Sequence, residues 1–166
     1  MNLWHRLTGR GEVPDGFTGR LDESERVLAC APTVLNSQER HLVVTSFGLW
    51  VPAGDGYRRI GWHLISNARW DGRALHVIEA DETGTAGDAV LLTDRPAHRY
   101  PLPAPGHVPE LVHGRVVRSV LASQRRELPG GSALFVRRRV PGHDGVQLQV
   151  RPDPGTDLDD IRQALD

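Results

Sequence analysis

Cysteine is rare in this chain and lysine is absent, and each of these features limits the classes of protein to which the chain can belong. The one cysteine, Cys30, excludes an internal disulfide and is typical of a reducing cytoplasm. It shares a strand face with Leu28 in the stretch ERVLACAP, which predicts a small buried side chain rather than a nucleophile or a metal ligand. Lysine is absent, so all 20 residues counted as Lys or Arg are arginines. Guanidinium groups suit phosphate, but the abundance of Ala, Gly, Pro, Val and Asp favours codon bias in a GC-rich genome as the explanation.

Long apolar runs are missing too. No run approaches the roughly 18–20 residues of a membrane span, and the opening residues lack the apolar core of a signal peptide. Leu3, Trp4 and Leu7 have helical spacing and predict a flap that lies on the domain, with an amphipathic membrane foot as the alternative. A length of 166 residues predicts one domain, which needs neither metal nor disulfide to fold.

Motifs for catalysis and cofactor binding are also absent. The eight histidines include no H-x-H pair and no H-E-x-x-H. The glycine-rich stretches match neither a phosphate loop nor a dinucleotide fingerprint, and no G-x-S-x-G occurs. The sequence therefore predicts no catalytic residue, no cofactor and no metal. His41, His63 and His76 could still meet across neighbouring strands, which leaves a metal site or a small-ligand barrel as an alternative.

What the sequence does contain is a succession of short β-strands. One amphipathic helix is predicted over 107–128, with Val112, Val116 and Val120 on its apolar stripe and PGG at 129–131 as its stop. A hairpin of ALFVRRRV and VQLQVRPD follows, and then a short helix that Thr156 caps. The strand-like stretches, separated by turn residues, are 25–32, 41–47, 48–52, 58–65, 74–81, 89–94 and 98–102.

These elements predict a mainly β fold with a capping helix. The expected architecture is a seven-stranded barrel or orthogonal sandwich, extended by a C-terminal hairpin and a short helix. Within RRIGWHLI, alternation directs Ile60, Trp62 and Leu64 inward and His63 outward. We therefore expect Trp62 to pack in the barrel wall rather than to bind a ligand. We divide the chain into a lead-in segment (1–24), the barrel with its capping helix (25–128), and the hairpin extension with its tail, packed on the same domain (129–166).

The same stretches resemble the bacterial pleckstrin-homology-like and GRAM-like domains. ERVLA matches the first strand of that pattern, LVVTSFGLWV the second and third, RRIGWHLI the fourth and WDGRALHV the approach to the fifth, while the helix after 107 takes the place of the capping helix. The resemblance covers roughly residues 25–125, and the residue bias favours an actinobacterial branch. It implies a binding or scaffolding module. It does not imply phosphoinositide binding, because the first loop, TVLNSQER, has only Arg40 against Glu39.

Charge is unevenly distributed in the C-terminal third. Seven arginines lie between 115 and 139 against Glu127 alone, and six aspartates lie between 144 and 166. This pattern predicts that the acidic tail neutralises the basic segment within the molecule, with a basic groove for an acidic protein or for nucleic acid as the alternatives. In the triplet at 137–139, alternation places Arg138 on the opposite face from Arg137 and Arg139.

The function predicted from these features is that of a non-enzymatic cytoplasmic protein-interaction module, either an adaptor or a homo-oligomer. Its partner would be another protein or a second copy, bound at the strand edge that the extra hairpin creates or at the basic segment. No integral membrane association is predicted. Peripheral binding of anionic lipid or nucleic acid by the basic segment is an alternative, against which the net charge of −1 argues. The candidate partner-binding residues are Arg125, Arg126, Arg137 and Arg139.

Overall fold

The fold is known from a computed structural model that describes residues 12–166. Strands make up 54% and helices 15% of these residues, so the predicted mainly β class with a capping helix is confirmed. Leu3, Trp4 and Leu7, on which the flap prediction rests, lie outside the described residues. Within residues 12–166, neither helix has the length and apolar character needed to cross a membrane.

Two sheets make up the fold. The first is an antiparallel meander in chain order, made of β1 (Val27–Leu35), β2 (Gln38–Thr45), β3 (Gly48–Ala53) and β4 (Gly56–Gly61). A short 3-10 helix (Trp62–Leu64) leads to the second sheet. That sheet contains β5 (Ile65–Trp70), β6 (Ala74–Ala86), β7 (Ala89–Asp94), β8 (His98–Pro101), β9 (Val120–Leu128), β10 (Gly131–Arg139) and β11 (Val146–Pro152).

The second sheet has the strand order β5-β6-β7-β11-β10-β9, and β8 pairs with β6. All its neighbours are antiparallel except β7 and β11. Helix α1 (Val108–Ser119) separates β8 from β9 in the chain, and α2 (Leu158–Leu165) follows β11. The predicted hairpin of β10 and β11 is confirmed, with Phe135 opposite Val150.

A minor apolar cluster on β1, β2 and β3 lies against the lead-in segment, and two main apolar clusters form the rest of the interior. The larger lies between both sheets and α1, and it includes Leu42, Leu75 and Val112, all fully buried. The smaller lies between the second sheet and α2, and it is centred on Phe135 and Ile161. Apolar residues on alternate strand positions and on one helix stripe explain both clusters, since each element buries a single face.

The helix predicted over 107–128 is wrong in its second half, because α1 ends at Ser119 and 120–128 form β9. Three features favour this ending. Val116, Val117 and Val120 are β-branched and weak helix formers. Val120 already has extended backbone angles, φ −83° and ψ 119°. Strand pairing with β10 then satisfies the backbone groups that the helix would have used.

The stretch PGG at 129–131, predicted to end the helix, instead forms the turn of the β9–β10 hairpin, since Leu128 pairs with Gly131 across it. The backbone of Gly131 runs so close to Thr156 that a Cβ at this position would collide with the threonine side chain. Glycine is therefore required here by close approach to the tail rather than by the end of a helix.

Three further predictions need correction. The stretch RRIGWHLI is not one strand, because the 3-10 helix interrupts it; Trp62 is buried as expected, but His63 is half-buried instead of pointing out. Cys30 and Leu28 do share a face of β1, but that face is exposed. Thr156 does not cap α2. Asp157 is the cap, accepting a hydrogen bond from the Asp159 backbone N–H.

Candidate functional site

The most exposed regular element of the described chain is β9, the outermost strand of the second sheet. It pairs with β10 along one edge, and no strand within residues 12–166 pairs with the other. The first six residues of β9, from Val120 to Arg125, are all exposed. Uncharged residues fill the strand as far as Gln124. Free strand edges are the usual templates for pairing with another chain, and charge is one of the common protections against it.

A β-bulge limits the usable length of this edge. Arg137 pairs with Ala122 and Arg138 pairs with Val120, so Leu121 is the extra residue on β9. Leu121 and Val120 are 42% and 38% exposed. Beyond the bulge, pairing is regular from Ala122 to Leu128, and this is the part of the edge that can receive a further strand.

The four candidate arginines do not form one surface. Arg125 is paired with Asp153, with 2.8 Å between Nη1 and Oδ2. Arg126 lies on the opposite face of β9, with its guanidinium 5.2 Å from the centre of the Phe135 ring and a hydrogen bond to a carbonyl of α2. Arg137 lines the same groove as Arg126. Arg139 lies apart from them, in a cleft at the end of α1.

The sequence predicts that the acidic tail neutralises the basic segment. Within the described residues, its aspartates form an ion pair with only one of the seven arginines in 115–139. Asp153 pairs with Arg125. Asp157 caps α2, and Asp159 pairs with Arg162 of its own helix. Asp160 accepts a hydrogen bond from the Gly130 backbone N–H. The tail therefore serves mainly to cap α2 and to attach it to the β9–β10 turn.

Alternation predicts that Arg138 lies on the opposite face from Arg137 and Arg139, and in the structure Arg138 is buried while its two neighbours are exposed. Its guanidinium has no carboxylate partner among the described residues. It donates to the carbonyls of Ile65 and Trp62, at 2.8 Å each, and to the Ser119 hydroxyl, at 2.6 Å. Burial lowers the pKa of Arg138 to about 10, with Arg151 as a second cause, so the group stays charged near neutrality.

A cleft of about 410 Å³ opens between the C-terminal half of α1 and the β10–β11 turn. Ser119 and Trp62 both line it, and Arg138 binds both of these residues from the interior. Sequence reasoning missed this cleft because its residues are distant in the chain. They come together only when the hairpin folds back over α1. The lining residues are Ser46, Trp62, Arg115, Arg118, Ser119, Arg139, Val140, Pro141, His143, Asp144, Gly145 and Val146.

The first sheet holds a second buried polar group that the sequence did not indicate. Glu25 is fully buried just before β1, and it accepts hydrogen bonds from the Trp50 indole at 2.9 Å and the Thr45 hydroxyl at 2.5 Å. It also pairs with Arg59 at 2.6 Å. These partners fix the chain just before β1 to the first sheet, which is a structural role.

The histidines considered as a joint site are not brought together. His41 lies on β2, His63 in the 3-10 helix and His76 on β6, and no group of three or more His, Cys, Asp or Glu side chains within residues 12–166 could hold a metal ion. His76 contacts Asp71 at 2.7 Å. That contact, with two backbone N–H groups, holds the pKa of the Asp71 carboxyl well below its usual range.

The chain matches no protein-family model, no curated protein and no solved structure. The resemblance to pleckstrin-homology-like and GRAM-like domains therefore stays a prediction from the sequence.

Proposed function

We propose that this chain is a non-catalytic, cytoplasmic protein-interaction module that pairs with a second copy of itself through the free edge of β9. The observation that carries the proposal is the exposure of β9 along one edge and both faces from Val120 to Arg125. The compartment rests on the single cysteine, which suits a reducing environment. Pairing through main-chain hydrogen bonds would satisfy the backbone groups that the edge leaves to solvent.

The side chains of β9 are arranged to suit a second copy. A two-fold axis at Gln124 places Ser123 opposite Arg125 and Ala122 opposite Arg126 of the other copy, so no like charges face each other. The same axis at Arg125 would place two guanidinium groups opposite one another. The charge pattern therefore favours an axis at Gln124 over one at Arg125 or Arg126.

The test places a like-charge pair at that axis. Gln124→Arg sets two guanidinium groups against each other, while the side chain remains exposed in the monomer. Sedimentation velocity over a concentration series should show a dimer for the wild type and a dissociation constant raised by about tenfold or more for the variant. Circular dichroism of the variant should be unchanged.

Thr85→Arg is the matched control. It makes the same change of charge at an exposed position of β6, remote in the sheet from β9, and it should leave the dissociation constant unchanged. A wild-type protein that stays monomeric up to about 1 mM would overturn the proposal. So would an equal weakening by both substitutions, which would assign the association to net charge.

A further inference from the structure

The cleft beside α1 contains arginines that no other group of the described chain neutralises. Arg115, Arg118 and Arg139 line it, and none of them forms an ion pair within residues 12–166. Most other arginines of the sheets are engaged: Arg58 binds Glu79 and Arg59 binds Glu25, for example. Uncompensated arginines gathered around one concave surface indicate a missing anion rather than a solvated face.

Arg115 shows the lack of a partner most directly. Its Nε is buried and has no hydrogen-bond acceptor. Burial lowers the pKa of Arg115, and the neighbouring Arg118 and Arg26 lower it further. A buried cation without an acceptor is destabilising, and an anion bound in the cleft that Arg115 lines would offset its charge. Arg118 lies one turn along α1, folded back so that its Nη1 is 3.2 Å from the position a Cβ would take on Gly114.

The charges around the cleft fit a doubly charged ligand. The lining also contains one carboxylate, Asp144, which forms an ion pair with none of the three arginines, so the lining has an excess of two positive charges, three minus one. Arg138 adds a further buried charge behind the wall. A phosphate monoester carries a charge of about −1.5 to −2 near neutrality, and its three terminal oxygens can each accept from a guanidinium fork.

One side of the cleft is apolar. Val140, Pro141 and Val146 lie at the two ends of the hairpin turn, and Val146 is 47% exposed. An organic substituent on the anion could pack there while the phosphate faces α1. A volume of about 410 Å³ is large enough for a small organic molecule but not for a folded partner.

We propose that this cleft is a binding site for a phosphate monoester, held by Arg115, Arg118 and Arg139 with its organic group against the β10–β11 turn. The phosphate belongs either to a soluble ester or to a lipid headgroup, since the recognising chemistry is the same. The site is separate from the β9 edge and needs no dimer to form.

Calorimetric titration with phenyl phosphate near pH 7, at about 25 mM salt, tests the site. We expect saturable one-to-one binding, weakened about tenfold or more in Arg118→Gln/Arg139→Gln, which removes two charge-assisted contacts. Arg69→Gln/Arg99→Gln is the matched control, because it removes the same charge from exposed positions outside the cleft. Benzenesulfonate, with one charge, should bind more weakly than phenyl phosphate.

Three results would overturn the assignment: no saturable binding up to about 5 mM phenyl phosphate, an equal loss in both double variants, or equal affinity for benzenesulfonate. Flotation with phosphatidylcholine vesicles that contain phosphatidic acid then identifies the source. If the protein binds the vesicles and the Arg118→Gln/Arg139→Gln variant does not, the ligand is a lipid headgroup. If the protein binds phenyl phosphate in the titration but does not float with the vesicles, the ligand is a soluble ester. Sedimentation of the same double variant separates this site from the dimer, because its dimerisation should be that of the wild type.

Discussion

Arg138 illustrates how one residue can replace a capping device. Its guanidinium donates hydrogen bonds to a carbonyl of the 3-10 helix, to a carbonyl of β5 and to the Ser119 hydroxyl at the end of α1. It also lies 3.5 Å from the Val116 carbonyl in the last turn of α1, where the carbonyls carry partial negative charge and favour a cation. The buried charge is thus compensated by backbone dipoles rather than by a carboxylate.

Replacing this guanidinium should destabilise the fold. Arg138→Met keeps much of the apolar stem but leaves the carbonyls of Trp62 and Ile65 and the Ser119 hydroxyl without the donor they now have. We expect a loss of about 3 kcal/mol in the free energy of unfolding, since several buried acceptors lose a charged donor at once. Urea unfolding followed by circular dichroism measures this loss.

Arg137→Met is the control for that experiment, because it makes the same substitution one position away on an exposed side chain. Its effect should stay within about 0.5 kcal/mol. Equal losses at the two positions would show that the hydrogen bonds of Arg138 contribute nothing beyond packing on β10.

At the scale of elements, the 3-10 helix makes stability depend on pH through His63. Burial lowers the pKa of His63 to about 4, with Arg138 and His143 as further causes. The ordinary pKa of histidine is 6.5. Below this pH, His63 is protonated in the unfolded chain but stays neutral in the folded chain. Stability therefore falls as the pH drops from 6.5 towards 4, and His63 contributes no further loss below that.

His63→Gln should flatten the stability profile in that window. The measurement is the urea midpoint of wild type and variant at a series of pH values, compared as a difference so that shared carboxylate effects cancel. His113→Gln, at an exposed position of α1, should leave the slope as it is in the wild type. A His63→Gln profile parallel to that of the wild type would exclude His63 as the source.

The elements also show what the sequence could predict and where it failed. Period-2 alternation identified most strands and the hairpin because each buries one face, which is a local property. The helix prediction over 107–128 failed in its second half because Val116 and Val120 fit a helical stripe and are also suited to a strand. Only tertiary pairing with β10 decides between them. The same limit hid the cleft, since Arg115 and Arg139 lie on different elements.

At the scale of the whole molecule, a single strand passes through both main apolar clusters. β6 contributes Leu75 and Val77 to the larger cluster and Ala86 to the smaller. The Gln149 side chain of β11 adds a second connection, donating to the His63 carbonyl at 2.7 Å. Two clusters joined in this way should unfold as one cooperative unit.

Ile161→Ala tests that coupling across the molecule. Ile161 is fully buried in the smaller cluster, and its truncation should destabilise the fold by about 3 kcal/mol. Among the described tryptophans, Trp50, Trp62 and Trp70 all lie in or against clusters other than that one. In a Trp4→Phe background, their fluorescence therefore reports the region remote from the substitution.

The fluorescence midpoint in urea should fall as far as the midpoint measured by circular dichroism, because neither cluster persists without the other. Leu158→Ala is the control, on the same helix but 42% exposed, and it should shift both midpoints much less. An unchanged fluorescence midpoint beside a two-step circular dichroism curve would contradict this prediction. It would show that the β9–β11 region and α2 unfold on their own, and that the connections through β6 and Gln149 are too weak to couple the two clusters.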